Sequence, residues 1–495
     1  MGCALRYDSR VPTYHVENFG CRATQADGAA LERQFESRGL NAASAAQADL
    51  VVLNTCTVTS SADQDARAAI RRVQRQNPTA EIIVTGCYAQ RAPEEVAALP
   101  GVTAVIGNSH KHQLAEIVLE KKPRPASFLP VSTLTENREL RTENWVFVSD
   151  IFAHTELLAA PVFESANHES ANHEFGRTRP NLKVQDGCDN RCSFCIIPSV
   201  RGQSRSLPVD QVIREMNALV AAGYREVVIS GINLGRWGRD LAVSSQLSAI
   251  SENLWREGKA RELCFESLIR VILGETQIEK LRISSVEPMD WTDELIELVA
   301  SSPRVAKHAH VPLQSGSDAV LRRMHRKYRP WHYREKIEKI RAAMPTAAIG
   351  ADVMAGFPGE TDSEFEATRR FIAELPFTYL HVFTYSARPG TPAAALPNQV
   401  PVQVARERNG ILRNLAAEKK LAFMRSFIRK PLDAITLNVT HRNSDGEFTE
   451  SLTDNYQKLY LRGLYEPNRW ITAQIEGVQD GVFVADLFPA NSPTN

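Results

Sequence analysis

The chain has 495 residues, with 58 lysines and arginines against 58 aspartates and glutamates, so its formal net charge is zero. That balance excludes a histone-like polycation but leaves room for a local basic patch. Hydrophobic residues make up 43% and charged residues 23%, enough apolar content for a sizeable core, which excludes wholesale disorder. At roughly 150 residues per domain the length predicts about three domains. No run approaches the roughly 18 apolar residues of a membrane span. Met1–Arg10 has no apolar stretch of the secretory kind. The expectation is a soluble cytoplasmic protein without a membrane partner. In that compartment the eight cysteines point to metal or redox chemistry rather than to disulfides.

The first hundred residues alternate strand and helix patterns. Tyr14–Phe19 reads as a strand, Thr24–Arg38 as a helix and Asp49–Asn54 as a buried strand. A helix over about Ser61–Gln76, a strand at Glu81–Thr85, a helix opened by Pro93 and a strand at Thr103–Ile106 follow. This rhythm predicts an α/β domain over residues 1–120 with a parallel sheet wrapped by helices. Residues 121–178 break the rhythm and read as a linker, although Trp145–Val148 has strand character. Its end carries a duplication, Glu164-Ser-Ala-Asn-His-Glu followed by Glu169-Ser-Ala-Asn-His-Glu.

Alternation resumes at Leu182 and continues to about residue 425. Strands are expected at Leu182–Val184, Glu226–Ser230, Leu281–Ser284, His308–Val311, Ile349–Met354 and Tyr379–Phe383. Helices are expected at Val209–Ala222, Thr292–Ser301, Trp331–Ala343 and Ser363–Glu374. Repeated βα units of this kind predict a complete or partial β/α barrel over 179–425. Residues 241–280 are long for one connection and read as an insertion. From 431 to 490 the pattern changes to short strands at Ala434–Thr440, Phe448–Leu452, Lys458–Leu461, Ile471–Ile475 and Val482–Asp486. Five short strands separated by turns fit a small β-barrel.

The strongest chemical signal is Cys188-x3-Cys192-x2-Cys195, placed just after a predicted strand. Three close thiolates can hold three irons of a cubane and leave the fourth iron open, whereas ordinary ferredoxin ligation uses four. A structural zinc site with a remote fourth ligand is the competing reading. Cys21, Cys56 and Cys87 follow the first three predicted strands, and Cys21 and Cys87 each follow a glycine. Strand ends of a parallel sheet share one edge, so these three can converge although 35 and 31 residues separate them. Each alone would read as a buried core thiol. Together they predict a second cluster.

The Cys-x3-Cys-x2-Cys motif at the start of a β/α barrel resembles the radical S-adenosylmethionine superfamily. With the second three-cysteine set and the small β-domain, nearly the whole chain resembles the methylthiotransferases of that superfamily. The segments Gln185-Asp-Gly-Cys, Cys195-Ile-Ile-Pro-Ser-Val-Arg-Gly-Gln-Ser-Arg-Ser and Gly231-Ile-Asn-Leu-Gly are closest to the branch acting on N6-threonylcarbamoyladenosine beside the tRNA anticodon. The terminal barrel resembles the RNA-binding TRAM module.

The resemblance implies two 4Fe-4S clusters and S-adenosylmethionine as cofactors. The cluster on Cys188, Cys192 and Cys195 would cleave S-adenosylmethionine to a 5′-deoxyadenosyl radical that acts at carbon 2 of the adenine. The set Cys21, Cys56 and Cys87 would hold the cluster that supplies or carries sulfur, and a second S-adenosylmethionine would supply the methyl group. It further implies cofactor contacts from Phe194, Gly231, Asn233, Ser285, Glu287 and Gln314. Its partners would be the tRNA anticodon stem-loop and an electron donor such as flavodoxin. No general base is named. The alternatives are isopentenyladenosine in tRNA, an aspartate of a ribosomal protein, or a non-catalytic iron–sulfur RNA-binding protein. The first motif departs from the family in continuing Cys21-Arg-Ala-Thr-Gln.

Other residues are less specific. Gly350-Ala-Asp-Val-Met-Ala-Gly-Phe-Pro-Gly-Glu360 follows a superfamily pattern near adenine and can equally end a strand and cap a helix. Arg67, Arg71 and Arg75 share a helix face. Residues Arg322–Arg329 pack five cations into eight positions, a candidate phosphate-facing patch. Tyr456, Tyr460 and Tyr465 could stack bases or simply pack the barrel. Cys3 and Cys264 fit neither set and read as ordinary thiols.

Overall fold

Runs of valine, isoleucine and leucine bounded by turn residues build the N-terminal sheet of the computed structural model. The model describes residues 11–120, 145–154, 157, 178–241, 263–443 and 446–488. The duplication at 164–174 lies outside them, as do Cys3 and most of the expected linker. The chain divides into two units. One is Met1–Pro161 with Gly187–Asp189 and Ile196–Gln203; the other is Val162–Asp186, Asn190–Cys195 and Ser204–Asn495.

In the first unit the strands are β1 Thr13–Asn18, β2 Asn41–Ala42, β3 Leu50–Thr55, β4 Glu81–Gly86, β5 Val102–Gly107 and β6 Trp145–Phe147. They form one parallel sheet in the order β2-β1-β3-β4-β5-β6. Every residue of β3 is buried. Helices cover both faces of the sheet, so Val52, Ile83 and Ile106 pack one way against Leu31, Phe35 and Leu114. Val51, Leu53 and Val84 pack the other way against Ile70 and Val73. This two-sided burial is why central parallel strands read as continuous apolar runs. The helix Ser60–Gln76 starts where the Thr59 hydroxyl accepts from the Ala62 N–H at 3.2 Å.

The second unit carries β7 Asn181–Lys183, β8 Gln185–Asp186, β9 Arg205–Ser206, β10 Glu226–Ser230, β11 Lys280–Ile283, β12 His308–His310, β13 Ala348–Ala355 and β14 Tyr379–Thr384. Strands β7, β10 and β11 form one parallel sheet, and β12, β13 and β14 another. Isolated parallel bridges Leu281↔Val305 and Ser285↔His310 join β11 to β12. Six strands therefore follow one another in chain order with helices between them, as in a partial β/α barrel. The described part of the expected 241–280 insertion belongs to the barrel succession. Residues 242–262 lie outside the described ones, but Phe265–Glu275 is a helix of the barrel succession, burying Leu268, Ile269, Val271 and Ile272. Its 3.6-residue apolar period was masked by the unusual length of the connection.

The C-terminal strands β15 Pro431–Asn443, β16 Gly446–Thr453, β17 Lys458–Arg462, β18 Trp470–Gln479 and β19 Val482–Leu487 close a barrel in the order β15-β16-β17-β19-β18. Leu459, Leu461, Ala473, Ile475 and Phe483 fill it, with Met424 and Phe427 packed in from the preceding helical segment.

One end of this barrel is fastened beneath the partial barrel, at the N-terminal ends of its strands. Arg282 is fully buried and bonds Glu226 at 2.6 Å, the Asp454 carbonyl at 3.0 Å and the Thr453 carbonyl at 3.4 Å. Tyr456 projects from the β16–β17 turn against the Arg282 guanidinium (5.2 Å) and the His308 ring (4.8 Å). Its φ of +65° is an unusual backbone state for an aromatic residue, held by the contacts around it. Asn468, at φ +60°, donates to the Gly223 carbonyl at 2.8 Å. No helix among the described residues is long and apolar enough to cross a membrane.

Burial alone would raise the Glu226 carboxyl, but the Arg282 and Arg179 guanidiniums outweigh it and hold it below the ordinary carboxylate range. Its contribution is therefore complete at neutral pH and is lost only as pH falls through that lowered value. Glu226→Ala leaves a buried guanidinium without its carboxylate and should cost about 3–5 kcal/mol. Denaturant unfolding followed by fluorescence of the chain at pH 7 measures this.

Candidate active site

The first candidate site follows from strand register. Asn18, Asn54 and Thr85 lie in one row across β1, β3 and β4, which are adjacent. Cys21, Cys56 and Cys87 stand three, two and two residues beyond that row, at one edge of the sheet. Two of the turns require glycine. Gly20 has φ +110°, and a Cβ there would stand 2.6 Å from Cys56 Cβ. Gly86 has φ +97°, and a Cβ there would stand 2.3 Å from the Thr55 carbonyl oxygen. Cys56 and Cys87 are buried and Cys21 is exposed.

Polar groups surround these sulfurs. Asn108 Nδ2 donates to Cys87 Sγ at 3.5 Å and to the Val200 carbonyl at 2.8 Å. Thr24 Oγ1 lies 3.7 Å from Cys21 Sγ. Asp27, buried in the helix after Cys21, accepts from Lys111 Nζ at 3.1 Å and Arg201 Nη2 at 3.0 Å. Lys111 also donates to Asn54 Oδ1 at 3.1 Å. Burial pushes the Cys56 thiol up to about 12; Cys87 and Cys21 add to the rise, while the Val58 N–H and Arg201 oppose it. Cys87 and Cys21 act on Cys56 because they are its near neighbours, and holding Cys56 as a thiolate at this depth calls for a bound cation. Among the described residues no three His, Cys, Asp or Glu side chains converge on a single-ion position. Three thiols gathered at one sheet edge are a donor set that either a tetrahedral zinc or a multi-iron cluster can use, each thiolate taking its own iron in the latter.

The second candidate site is the loop bearing Cys188, Cys192 and Cys195. Gly187 precedes it at φ +72°. Ser193 pins the loop: its N–H donates to the Met324 carbonyl at 3.1 Å, its hydroxyl to the Arg323 carbonyl at 2.8 Å, and its carbonyl accepts from the Ala393 N–H at 2.8 Å. Arg326 Nη1 donates to Cys192 Sγ at 3.3 Å. A cationic N–H directed at a thiol sulfur suits a thiolate ligand.

The residues expected to touch a cofactor follow the C-terminal ends of the parallel strands, where binding groups of β/α barrels gather. Gly231 lies so close to Gln185 that a Cβ would stand 2.8 Å from Gln185 Oε1. The Asn233 N–H donates to that same oxygen at 2.7 Å. The Ser285 hydroxyl pairs with His310 Nδ1 at 3.0 Å, and Glu287 pairs with Arg326. Gln314 holds φ +63°, a strained state that clusters at functional sites. Phe194 packs edge-on to Phe357, with ring centroids 6.5 Å apart, in a cluster with Val320, Met324 and Tyr385.

Two expectations about cations and rings are corrected. The run Arg322–Arg329 is not a free phosphate-facing patch: Arg322 and Arg329 pair with Asp318, Arg323 with Glu364 and Arg326 with Glu287. Three carboxylates, Asp318, Glu364 and Glu287, engage four of its five cations, which a linear count of cations does not reveal; Lys327 stays exposed. Tyr456 does not offer its ring to a base, because it fills the domain junction. Tyr465 packs against the barrel core, whereas Tyr460 stays half-buried beside Lys458 and His441. Arg67 is bound to Tyr88 at 2.7 Å and to Glu95. Sequence reasoning did not single out Asp27, Asn108 or Lys111, and it named Arg326 only as one of the cations of Arg322–Arg329. Arg201 stood inside a quoted motif, but only the fold gave it a partner.

A family model described as uncharacterized protein family UPF0004 matches residues 13–107, and the Radical SAM superfamily model matches residues 182–372. The chain is 35% identical over 453 residues to the threonylcarbamoyladenosine tRNA methylthiotransferase MtaB of Bacillus subtilis, covering 91% of this chain and 90% of that one. It is 33% identical over 426 residues to the tRNA-2-methylthio-N(6)-dimethylallyladenosine synthase of Novosphingobium aromaticivorans, covering 86% of each. Among solved structures, the radical S-adenosylmethionine methyltransferase TsrM from Kitasatospora setae, with cobalamin and a 4Fe-4S cluster bound, aligns with a TM-score of 0.52 at 16% identity. That alignment covers 78% of this chain and 74% of TsrM, and the likeness is one of fold alone.

Gly86→Ala would strain the backbone and press on β3, at an expected cost of about 1–3 kcal/mol. A thermal melt of the variant beside the parent chain reads this out.

Proposed function

The chain belongs to the radical S-adenosylmethionine methylthiotransferase family, and on that premise we propose that it adds a methylthio group to carbon 2 of N6-threonylcarbamoyladenosine beside the anticodon of tRNA. Its cofactors are S-adenosylmethionine and an iron–sulfur cluster. In our reading Cys188, Cys192 and Cys195 hold that cluster, and Cys21, Cys56 and Cys87 hold a second one, both of the 4Fe-4S type. The register that brings three cysteines to the ends of three adjacent strands is the observation that supports the two-cluster reading most. Similarity to a relative of that activity over nine-tenths of the chain supports the substrate.

When bound, the cofactors supply a carbon-centred radical, the kind of chemistry an unreactive aromatic C–H requires. The chain's own residues bind and orient. Phe194 from the cysteine loop, and Gly231, Asn233, Ser285, Glu287 and Gln314 from the strand ends, would contact S-adenosylmethionine. Ser193 keeps the cysteine loop rigid through its three hydrogen bonds, which preserves reacting distances. On β12, His310 lies between Ser285 Oγ at 3.0 Å and Asp352 Oδ1 at 3.4 Å, a fixed polar group at the same strand ends. On the terminal barrel, the half-buried Tyr460 offers a ring to the tRNA anticodon stem-loop, beside Lys458 and Arg462, which pair with Glu450 at 2.9 Å and Asp486 at 3.5 Å. A flavodoxin-like protein donates the electrons.

The similarity to the dimethylallyladenosine synthase favours one alternative, the isopentenyl-type adenosine of tRNA. Nucleoside mass spectrometry of tRNA from a strain lacking the gene separates the two. Loss of the methylthio group from threonylcarbamoyladenosine is expected. Loss from the isopentenyl nucleoside instead would reassign the substrate, and retention of both would move the target to protein.

Cys56→Ala should leave about half of the iron and labile sulfide of the reconstituted chain. Iron and sulfide assays would contradict two clusters if the content stayed at the parent level.

A further inference from the structure

Arg326 lies in a run of five cations, yet it differs from its neighbours. Arg322, Arg323 and Arg329 turn to carboxylates and remain partly exposed. The Arg326 side chain is only 5% exposed. Its guanidinium uses three nitrogens on three partners: Nη1 on Cys192 Sγ at 3.3 Å, Nη2 on Glu287, and Nε on the Tyr328 hydroxyl at 3.2 Å. Tyr328 is fully buried, and its ring lies under the guanidinium at 4.9 Å. Its hydroxyl donates to the Leu313 carbonyl at 2.6 Å, beside Gln314. One buried cation thus ties the cysteine loop to the ends of β11 and β12.

We propose that Arg326 sets the reduction potential of the cluster held by Cys188, Cys192 and Cys195, as a positioning residue acting through the Cys192 sulfur. The proposal rests on the cluster assignment above. Hydrogen bonds to sulfur, local charge and solvent exposure determine such potentials. An N–H from a cation draws electron density from the thiolate and favours the form carrying one more electron, so Arg326 raises the potential. Glu287 offsets part of that charge. A guanidinium buried at this depth needs anionic partners; Glu287 is one, and Cys192, once it is a cluster ligand, is the other that it bonds.

The test is potentiometric titration of the full-length holoenzyme with dithionite as the one-electron source, followed by electron paramagnetic resonance. The signal that changes in the parent chain on adding S-adenosylmethionine identifies the cluster in question, and all midpoints are then read without it. Arg326→Met should lower its midpoint, Glu287→Gln should raise it, and Arg326→Lys should return part of the loss. Opposite shifts separate charge from packing, because simple loosening admits water and moves both variants the same way. An unchanged or raised midpoint in Arg326→Met, or equal-signed shifts, would overturn the proposal. If Arg326→Met fails to load its cluster, Glu287→Gln decides alone, and an unchanged or lowered midpoint there overturns it. A parent chain with no signal responsive to S-adenosylmethionine would refute the cluster assignment itself, and the proposal with it.

Discussion

Parallel strands end together, and both candidate sites depend on that constraint. A parallel ladder fixes register, so residues at equal depth on neighbouring strands emerge at one edge however far apart they lie in the chain. In the N-terminal sheet this sets Cys21, Cys56 and Cys87 beyond one row formed by Asn18, Asn54 and Thr85. In the partial barrel it sets the cysteine loop, Gly231, Asn233, Ser285, Glu287 and Gln314 at corresponding strand ends. The helices return the chain and bury its apolar faces, which leaves the turns free to carry chemistry.

Buried charge recurs wherever a site or junction must hold one geometry. Asp27 gathers Lys111 and Arg201 beside the first cysteine set, Glu226 holds Arg282 at the domain junction, and Glu287 holds Arg326 beside Cys192. Such pairs contribute little net stability compared with apolar packing, yet breaking one is costly. They therefore resist small displacements. At the junction the effect is architectural: the terminal barrel presents one end to the partial barrel and keeps Tyr460 with its neighbouring cations on the surface. Beside the cysteines the same device supplies N–H donors and positive charge where thiolates are needed.

Much of the fold was legible because its signals are local. The βα rhythm, the six barrel strands and the five terminal strands follow from apolar period and turn residues. The two-residue strand β2 carried no such signal, since Asn41 and Ala42 are both exposed. The helix Phe265–Glu275 was absorbed into a supposed insertion because the connection containing it is long. Among the site residues, cysteine spacing and the glycines before Cys21 and Cys87 were visible. Asn108 and Lys111 were not, because a lone asparagine or lysine after a strand has no distinguishing pattern.

By itself the sequence determined the succession of elements, the two cysteine sets and their places after strands, because periodicity and turn chemistry act over a few residues. Only the tertiary structure decided which charges meet. The cations of Arg322–Arg329 are evenly matched in composition, and nothing local distinguishes the one that turns inward to Cys192 from those paired at the surface. Tyr456 and Tyr460 are likewise alike in sequence, yet one fills a junction and the other stays at the surface. A side chain's partner is set by which segments distant in the chain pack beside it, and burial and Coulomb energy are functions of that arrangement rather than of neighbouring residues.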